Sequence, residues 1–451
     1  MDSKSDLKRI VVISSVEADG SIIETVYRPD LKQTALVVAR EGVARIVAEM
    51  NDGHALRVPV RPTNNLIRHQ ALLFASQPVE YLDVRLLLAE MSAYIRRYVS
   101  LSEDAIAVAL AYVLLSWVYD AFNELPYLRF RGDYGTGKSR ALLVIGSLCY
   151  KAFFASGAST VSPIFHILDS FNGTLVFDEA DFRFTDEKAE LVKILNNGNA
   201  KGFPVLRTQV TPKKEFNPRA FSIYGPKIVA MRRSYEDPAL ESRFLTIEME
   251  PGRSAGTPLN LPDEQKEEAL ELRNMLLMYR LRKRLSVKLD PTLADARLEP
   301  RMNQILLPLL SVLPDDMTRE PVRASALALQ HKVISDRETS TDGQVLSIVG
   351  DLLSGEQDQP LPLKDVTESF TAKFGSDYDR PITTRWIGSV LRRLGILLYK
   401  TNGIITLAGG QDARLAALRT RYGIGDSLGK NCEERVLQGD REKGSSTKGI
   451  Q

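Results

Sequence analysis

Residues 132–139 read Gly-Asp-Tyr-Gly-Thr-Gly-Lys-Ser and fit the phosphate-binding pattern G-x-x-x-x-G-K-[ST]. The preceding residues, 127–131, are typical of a strand, and residues 141–145 are typical of the start of a helix. Glycines let a backbone wrap closely around phosphates, and the following helix adds its positive amino-terminal end. The stretch therefore predicts a nucleotide site, with a chance glycine-rich turn as the alternative.

The pattern assigns roles to individual residues. Lys138 is expected to reach the β- and γ-phosphates of ATP, and the hydroxyl of Ser139 is expected to hold Mg²⁺. The predicted nucleotide contacts are Gly132, Asp133, Tyr134, Gly135, Thr136, Gly137, Lys138, Ser139 and Arg140.

Composition limits the remaining function classes. A chain of 451 residues predicts two or three domains, and a net charge of +2 gives no overall attraction to nucleic acid. Cys149 and Cys432 are the only cysteines, which excludes a disulfide framework. The amino terminus is polar, and the apolar run 105–118 is shorter than the roughly 20 residues that a membrane span needs. A cytoplasmic protein without a membrane span is expected.

Changes in residue pattern predict the domain organisation. Residues 1–78 alternate apolar and polar over short runs and predict a small β-rich domain, and 79–126 predict helices that pack on the next domain. Strands and helices alternate from 127 to about 250 and are followed by helices to 335, which predicts a parallel α/β domain with a helical lid. Residues 341–410 predict a further small domain, and the Gly/Ser/charge-rich residues 423–451 predict a disordered tail.

A second motif supports ATP hydrolysis. Residues 174–179 read Thr-Leu-Val-Phe-Asp-Glu, a buried strand that ends in two acids. At the carboxyl edge of a parallel sheet, Asp178 would hold Mg²⁺ and Glu179 would polarise the attacking water. A small-molecule kinase does not need such a glutamate, so the pair favours a hydrolase. The alternative is a strand that ends in a solvated turn.

The strand at 227–232 and the following Asp-Pro-Ala-Leu-Glu-Ser-Arg-Phe resemble the second half of an AAA+ ATPase. The resemblance implies that Arg243 is an arginine finger, which reaches a neighbouring subunit's ATP and requires a ring, expected to be a homo-hexamer. It places Arg232 at the sensor-one position, where the family usually has Asn or Thr. Arg301 is the candidate for the sensor-two cation, with Arg273 and Arg280 as rivals. A surface cation is the alternative for Arg243.

Residues 204–224 predict a β-hairpin whose turn carries Lys213 and Lys214. The hairpin is similar to the pre-sensor hairpin of AAA+ helicases of the MCM and superfamily-three type, which implies that both lysines contact a DNA strand in a central pore. A solvated surface turn is the alternative.

Residues 341–409 resemble a winged helix, with three short helices followed by a two-stranded wing. Between Leu363 and Leu407 there are seven Lys/Arg against four Asp/Glu. The third helix would present Arg385, Arg392 and Arg393 to DNA. Winged helices also dock proteins, so a protein-docking role is the alternative.

Residues 100–410 look like the AAA+ proteins of mobile genetic elements, including the replication initiator-helicases of staphylococcal pathogenicity islands and cassette chromosomes. The motifs that carry this likeness include residues 117–140, 156–160, 195–198 and 226–230. The resemblance implies a hexameric, ATP-dependent helicase acting in replication of a plasmid, phage or integrated element. The alternatives are an ATP-switched DNA-binding initiator or loader that does not unwind, and an AAA+ remodeller of proteins.

Overall fold

The computed structural model describes residues 7–178, 186–210, 216–235, 237–252, 256–354, 360–401 and 403–424. The chain forms two compact units, Met1–Leu327 and Ala328–Gln451. The first unit contains all three segments that the sequence divides at residues 78 and 126. The boundary between the units lies inside a helix, earlier than the break predicted at 336–340. The predicted tail lies outside the described residues beyond Ile424.

The first unit begins with seven strands in two small sheets. The strands are β1 (Lys8–Val11), β2 (Ser14–Val16), β3 (Ile22–Arg28), β4 (Gln33–Arg40), β5 (Val43–Val47), β6 (Met50–Asn51) and β7 (Ala55–Val58). Strands β2-β3-β4-β5 form an antiparallel sheet, and β1-β7-β6 form a mixed one. Residues 22–26 of β3 are buried on both faces, so this sheet packs against the rest of the unit.

Three helices follow: α1 (Asn65–Arg68), α2 (Val84–Tyr98) and α3 (Glu103–Val118). Ser102 caps α3 by accepting a hydrogen bond from the backbone N–H of Ala105, as its sequence position predicts. The stretch Glu103–Ala121 is long and apolar enough to cross a membrane. The prediction that the apolar run at 105–118 is too short for a membrane span is therefore wrong. The most apolar window of this stretch is 78% buried inside the protein, which is typical of a core helix.

A five-stranded parallel sheet forms the centre of the first unit. Its strands are β8 (Tyr127–Arg131), β9 (Phe153–Ser156), β10 (Leu175–Asp178), β13 (Lys227–Met231) and β14 (Phe244–Glu248). They lie in the order β14-β8-β13-β10-β9, and every neighbouring pair is parallel. The prediction of a parallel α/β domain is confirmed. Because the strands are parallel, all five carboxyl ends lie at one edge.

Helices and one hairpin connect these strands. The helices are α4 (Lys138–Gly146), α5 (Val161–Phe171), α6 (Asp186–Asn197) and α7 (Pro238–Glu241). The predicted hairpin forms from β11 (Val205–Val210) and β12 (Phe216–Phe221), which pair antiparallel. Residues from 60–74 pack in the same apolar core as the central strands and α5. Three longer helices then follow: α8 (Glu264–Lys283), α9 (Pro300–Val312) and α10 (Asp316–Thr339), the last of which crosses the unit boundary.

The second unit contains α11 (Thr341–Leu353), α12 (Leu363–Phe374), α13 (Thr384–Arg393), β15 (Leu398–Thr401), β16 (Ile404–Leu407) and α14 (Asp412–Arg421). Strands β15 and β16 form an antiparallel hairpin, and Thr406 also bridges to Pro362. The predicted three helices and two-stranded hairpin are present. Residues from α11, α12, α13 and the hairpin share one apolar core, so this unit has a core of its own.

Candidate nucleotide-binding site

The loop between β8 and α4 has the backbone geometry that its glycines predict. Gly135 and Gly137 adopt φ angles of +74° and +87°, in the left-handed region that favours glycine. A Cβ atom at Gly132 would lie 2.5 Å from the carbonyl oxygen of Met249, so the chain passes too closely for a side chain. The loop leads directly into α4, and Gly137 is the N-cap residue of that helix.

Lys138 lies across this loop. Its Nζ donates to the carbonyl oxygen of Asp133 at 2.6 Å, and the hydroxyl of Thr136 donates to the same oxygen at 2.9 Å. The Asp133 carbonyl oxygen thus holds both side chains against the start of the loop. Ser139 is exposed in the first turn of α4, directly after Lys138.

Asp178 ends β10 at the same edge of the sheet as the loop. Only β13 separates β10 from β8, so the two chain ends lie about 10 Å apart at ordinary strand spacing. A serine hydroxyl and a half-buried carboxylate are oxygen donors of the kind that Mg²⁺ prefers, so Ser139 and Asp178 fit the predicted ion. Glu179, the predicted water-activating residue, lies outside the described residues.

Arg140 is engaged elsewhere. Its guanidinium donates to the carbonyl oxygens of Pro258, at 2.5 Å, and Leu259. The side chain thus ties the start of α4 to the segment that precedes α8. Among the nine predicted nucleotide contacts, Arg140 is directed away from the loop and toward another part of the chain.

Arg232 directly follows β13 and lies between the loop and Asp178. The N–H of Gly132 donates to the carbonyl oxygen of Met231 at 3.4 Å, which sets Arg232 beside the first glycine of the loop. Its guanidinium lies 4.0 Å from the ring centroid of Tyr134 and donates to the Tyr134 hydroxyl. The sequence pattern marks Tyr134 only as a loop position and gives no sign of this contact.

Arg243 lies at the opposite edge of the sheet, immediately before β14. Because β14 is parallel to β8, five residues of strand, or about 16 Å, separate Arg243 from the level of the loop. Its Nη1 donates to Oδ1 of Asn196 at 2.5 Å, and Asn196 also donates to Asp237 at 3.2 Å. Asn196 therefore orients Arg243. The Leu-Asn-Asn-Gly run that contains Asn196 is a visible motif in the sequence, but its partner is not.

The three candidates for the sensor-two cation are in different surroundings. Arg301 lies beside Arg243: its Nε donates to the hydroxyl of Ser242 at 3.4 Å, and burial followed by the charge of Arg243 lowers its pKa. Arg273 donates to the carbonyl oxygens of Phe74 and Ser147 inside the core, and burial lowers its pKa to about 10. Arg280 is also buried. Arg273 and Arg280 thus have structural partners in the core, and Arg301 stays the candidate for the sensor-two cation.

The residues predicted to contact DNA lie in two regions, the hairpin of β11 and β12 and helix α13. Lys213 and Lys214 lie outside the described residues, between β11 and β12. In the second unit, Arg385 and Arg392 lie seven residues apart on α13, which places them on the same helix face. Arg393 lies off that face and pairs with Asp342.

No protein family and no curated protein matches this chain. Among solved structures, the active helicase Cch of SCCmec type IV is similar at 13% identity and a TM-score of 0.40, over 93% of this chain and 81% of that one. The apo C-terminal region of NrS-1 is similar at 13% identity and 0.35, over 85% and 95%. JCV helicase is similar at 14% and 0.24, over 58% and 64%. At TM-scores below 0.5, these likenesses support no further conclusion.

Proposed function

We propose that this protein is an ATP-dependent DNA helicase or translocase that works as a homo-hexamer in the replication of a plasmid, phage or integrated element. The observation that carries the proposal is the distribution of charged groups on the central sheet. Lys138, Ser139 and Asp178 lie at the carboxyl edge, and Arg243 lies at the amino edge. The carboxyl edge carries groups suited to holding ATP. At the amino edge, Arg243 lies too far from the loop of its own chain to contact a nucleotide bound there.

At the carboxyl edge, each group has a distinct role in hydrolysis. Lys138 neutralises charge on the β- and γ-phosphates, and the backbone N–H groups of the loop hold the phosphates in place. Bound Mg²⁺, held by Ser139 and Asp178, would offset the charge between these phosphates. Glu179 orients the water that attacks the γ-phosphorus, the bridging bond to the β-phosphate breaks, and ADP and inorganic phosphate leave.

The amino edge explains why a ring is proposed. The guanidinium of Arg243 offers fixed donors suited to a phosphoryl group, and Asn196 holds it in place. About 16 Å of strand separates it from its own loop. A neighbouring copy that presents its carboxyl edge here would complete its site with Arg243, and Arg301 would add a second positive charge beside it.

DNA contact is assigned to two places. The hairpin of β11 and β12 would carry Lys213 and Lys214 to a single strand, and α13 would present Arg385 and Arg392 to phosphates. In a cycle driven by ATP hydrolysis, movement of the hairpin would displace one strand from the other.

The decisive experiment measures ATPase rate with and without single-stranded DNA, together with fork unwinding. The wild type is compared with Lys138→Ala, which removes phosphate contact, and with Glu179→Gln, which leaves binding intact. The helicase proposal expects DNA-stimulated hydrolysis and open forks in the wild type only. Slow turnover with sequence-specific duplex binding would support a switched initiator or loader, and hydrolysis indifferent to DNA would support a protein remodeller.

A further inference from the structure

We propose that Lys227 is a positioning residue that joins the base of the β11–β12 hairpin to the end of α6, and through α6 to Arg243. The inference rests on the proposed function, because it concerns how DNA at the hairpin and ATP at a neighbouring subunit influence each other. Lys227 begins β13 at the amino edge of the central sheet and is fully buried. No sequence motif assigns it a role.

The ammonium of Lys227 is bound by three backbone carbonyl oxygens. Its Nζ donates to Gly198 at 3.0 Å, to Ile223 at 2.8 Å and to Gly225 at 3.0 Å. A protonated amine has three N–H donors, so all of them are used. The ring of Tyr127 also faces Nζ, with its centroid 5.0 Å away. Within the described part of the chain no carboxylate pairs with Lys227, so these carbonyls and the ring offset the cost of burying its charge.

The three carbonyls lie on both sides of the hairpin in the chain. Gly198 follows α6 and precedes β11, whereas Ile223 and Gly225 follow β12. The N–H of Gly225 also donates to the carbonyl oxygen of Gly198 at 3.2 Å. A Cβ at Gly198 would lie 2.5 Å from Nζ of Lys227 and 2.5 Å from the carbonyl oxygen of Ile223, so the approach requires glycine. The ammonium therefore fixes the place where the chain enters and leaves the hairpin.

The end of α6 also holds Arg243. Asn196, which accepts a hydrogen bond from Arg243 at 2.5 Å, lies two residues before Gly198. The run at 195–198 thus makes two contacts, one from a side chain to Arg243 and one from a backbone carbonyl to Lys227. A displacement of Arg243 by a neighbour's ATP would pass through α6 to the base of the hairpin. A force on the hairpin from DNA would pass back to Arg243 by the same contacts.

This link depends on the charge of Lys227. Burial lowers the pKa of Lys227 to about 7, and a neutral amine has only two N–H donors for three carbonyls. The other described groups that face Lys227 are the Tyr127 ring and the Tyr112 hydroxyl, which bonds to the Lys227 backbone. Burial raises the pKa of both tyrosines well above its ordinary value, so Lys227 is the member of this set that titrates near neutral pH. The link should be intact near pH 6 and weakened near pH 8.

The first test measures ATP hydrolysis by the full-length chain with and without single-stranded DNA, at about pH 6 and about pH 8. At the lower pH, Lys227→Met should reduce the stimulation by DNA about fivefold and change the basal rate less than about twofold, because Asn196 still holds Arg243. At the higher pH, stimulation of the wild type should fall toward that of Lys227→Met, which should itself change little. The matched control is Lys151→Met, which removes another buried lysine and should keep both the stimulation and its pH response.

Amide hydrogen exchange measures the link without any activity. Lys227→Met should speed exchange at least about fivefold in both 192–198 and 216–225 and leave α2 unchanged, whereas Lys151→Met should leave all three segments unchanged. The wild type should show the same selective increase from pH 6 to pH 8 after correction for the intrinsic exchange rate, so the link is tested even if Lys227→Met does not fold.

Two results would overturn the inference: equal loss of basal and stimulated hydrolysis in Lys227→Met, and exchange in the two segments that depends on neither Lys227 nor pH. Absence of DNA stimulation in the wild type is a different result. It would count against the proposed helicase function, and the exchange measurements would still decide whether Lys227 joins the hairpin to α6.

Discussion

Arg280 donates a hydrogen bond from Nε to Oε1 of Glu24 at 2.6 Å, across 256 residues of chain, and both side chains are almost fully buried. Lys151 lies 2.9 Å from the other carboxylate oxygen, and the hydroxyl of Tyr150 also donates to the carboxylate. Burial alone would raise the pKa of Glu24, but the charges of Lys151 and Arg280 outweigh it and hold that pKa below its ordinary value. One carboxylate thus connects the amino-terminal sheet, the turn after α4 and helix α8.

Glu24→Gln should destabilise the first unit strongly. It leaves Lys151 and Arg280 buried with less negative charge beside them, and removing one member of a buried ion pair costs about 3 kcal/mol or more. Urea unfolding followed by fluorescence measures the change. The matched control is Glu49→Gln, which breaks the exposed pair with Arg9 and should change the free energy of unfolding by less than about 0.5 kcal/mol. Equal changes in the free energy of unfolding for the two variants would show that the buried ion pairs of Glu24 do not stabilise the first unit.

Stability should rise as the pH rises above 8, because of Lys151. Burial lowers its pKa to about 8, although the charge of Glu24 opposes that shift. The unfolded chain therefore binds more protons than the folded chain between that pH and the ordinary lysine pKa. The free energy of unfolding should rise by about 1 kcal/mol from pH 8 to pH 9. Lys151→Met should lose that part of the slope in thermal unfolding, whereas Lys266→Met, at an exposed position, should keep it. A Lys151→Met slope identical to that of the wild type would count against a neutralised lysine.

Two glycines of the loop should respond differently to alanine. A Cβ at Gly135 meets nothing within 4 Å, so Gly135→Ala carries only the strain of its left-handed backbone, about 1 kcal/mol. A Cβ at Gly132 would lie 2.5 Å from the Met249 carbonyl oxygen, and backbone must move. Gly132→Ala should lower the melting temperature further and weaken nucleotide binding more. The reverse order in thermal unfolding would show that the close approach at Gly132 does not constrain the loop.

Subunit mixing tests whether Arg243 acts on a neighbour. Lys138→Ala and Arg243→Ala should each be inactive alone. In a random equal mixture, about one interface in four joins an intact loop to an intact Arg243, so ATPase activity should return to about a quarter of the wild-type rate. Without recovery, Arg243 would have to act within its own chain, against its position at the far edge of the sheet. Mixing Lys138→Ala with Lys138→Arg is the control and should recover nothing.

The arginines of α13 should contribute unequally to DNA binding. Arg385 and Arg392 share one helix face, and Arg393 pairs with Asp342. Replacing both Arg385 and Arg392 by Ala should reduce the slope of log affinity against log salt by about 2 for duplex DNA, because each phosphate contact contributes roughly 0.9. Arg393→Ala should reduce it by less than half that amount. Equal slopes for all variants in a fluorescence-anisotropy titration would favour a protein-docking role for this unit.

Local patterns in the sequence were sufficient for the loop at 132–139, the strand before it and the helix after it, the Ser102 cap, the hairpin from β11 to β12, and the three helices and hairpin from α11 to β16. These features depend on turns, glycine conformations and periodicities within a few residues of one another. The sequence therefore determined that a glycine-rich loop lies between a buried strand and a helix, and which acid ends the strand at 175–178.

Tertiary structure decided which arginines face solvent and which lie in the core. Arg273, Arg280 and Arg301 occur in similar helical surroundings in the sequence, yet only Arg301 lies beside Arg243, because burial depends on what packs against a helix from distant segments. Glu24 occurs in an ordinary strand, and its charge is tolerated there only because Lys151 and Arg280 reach it. Strand order set Arg232 between the loop and Asp178 and set Arg243 at the opposite edge, since parallel pairing between distant strands decides which chain ends meet.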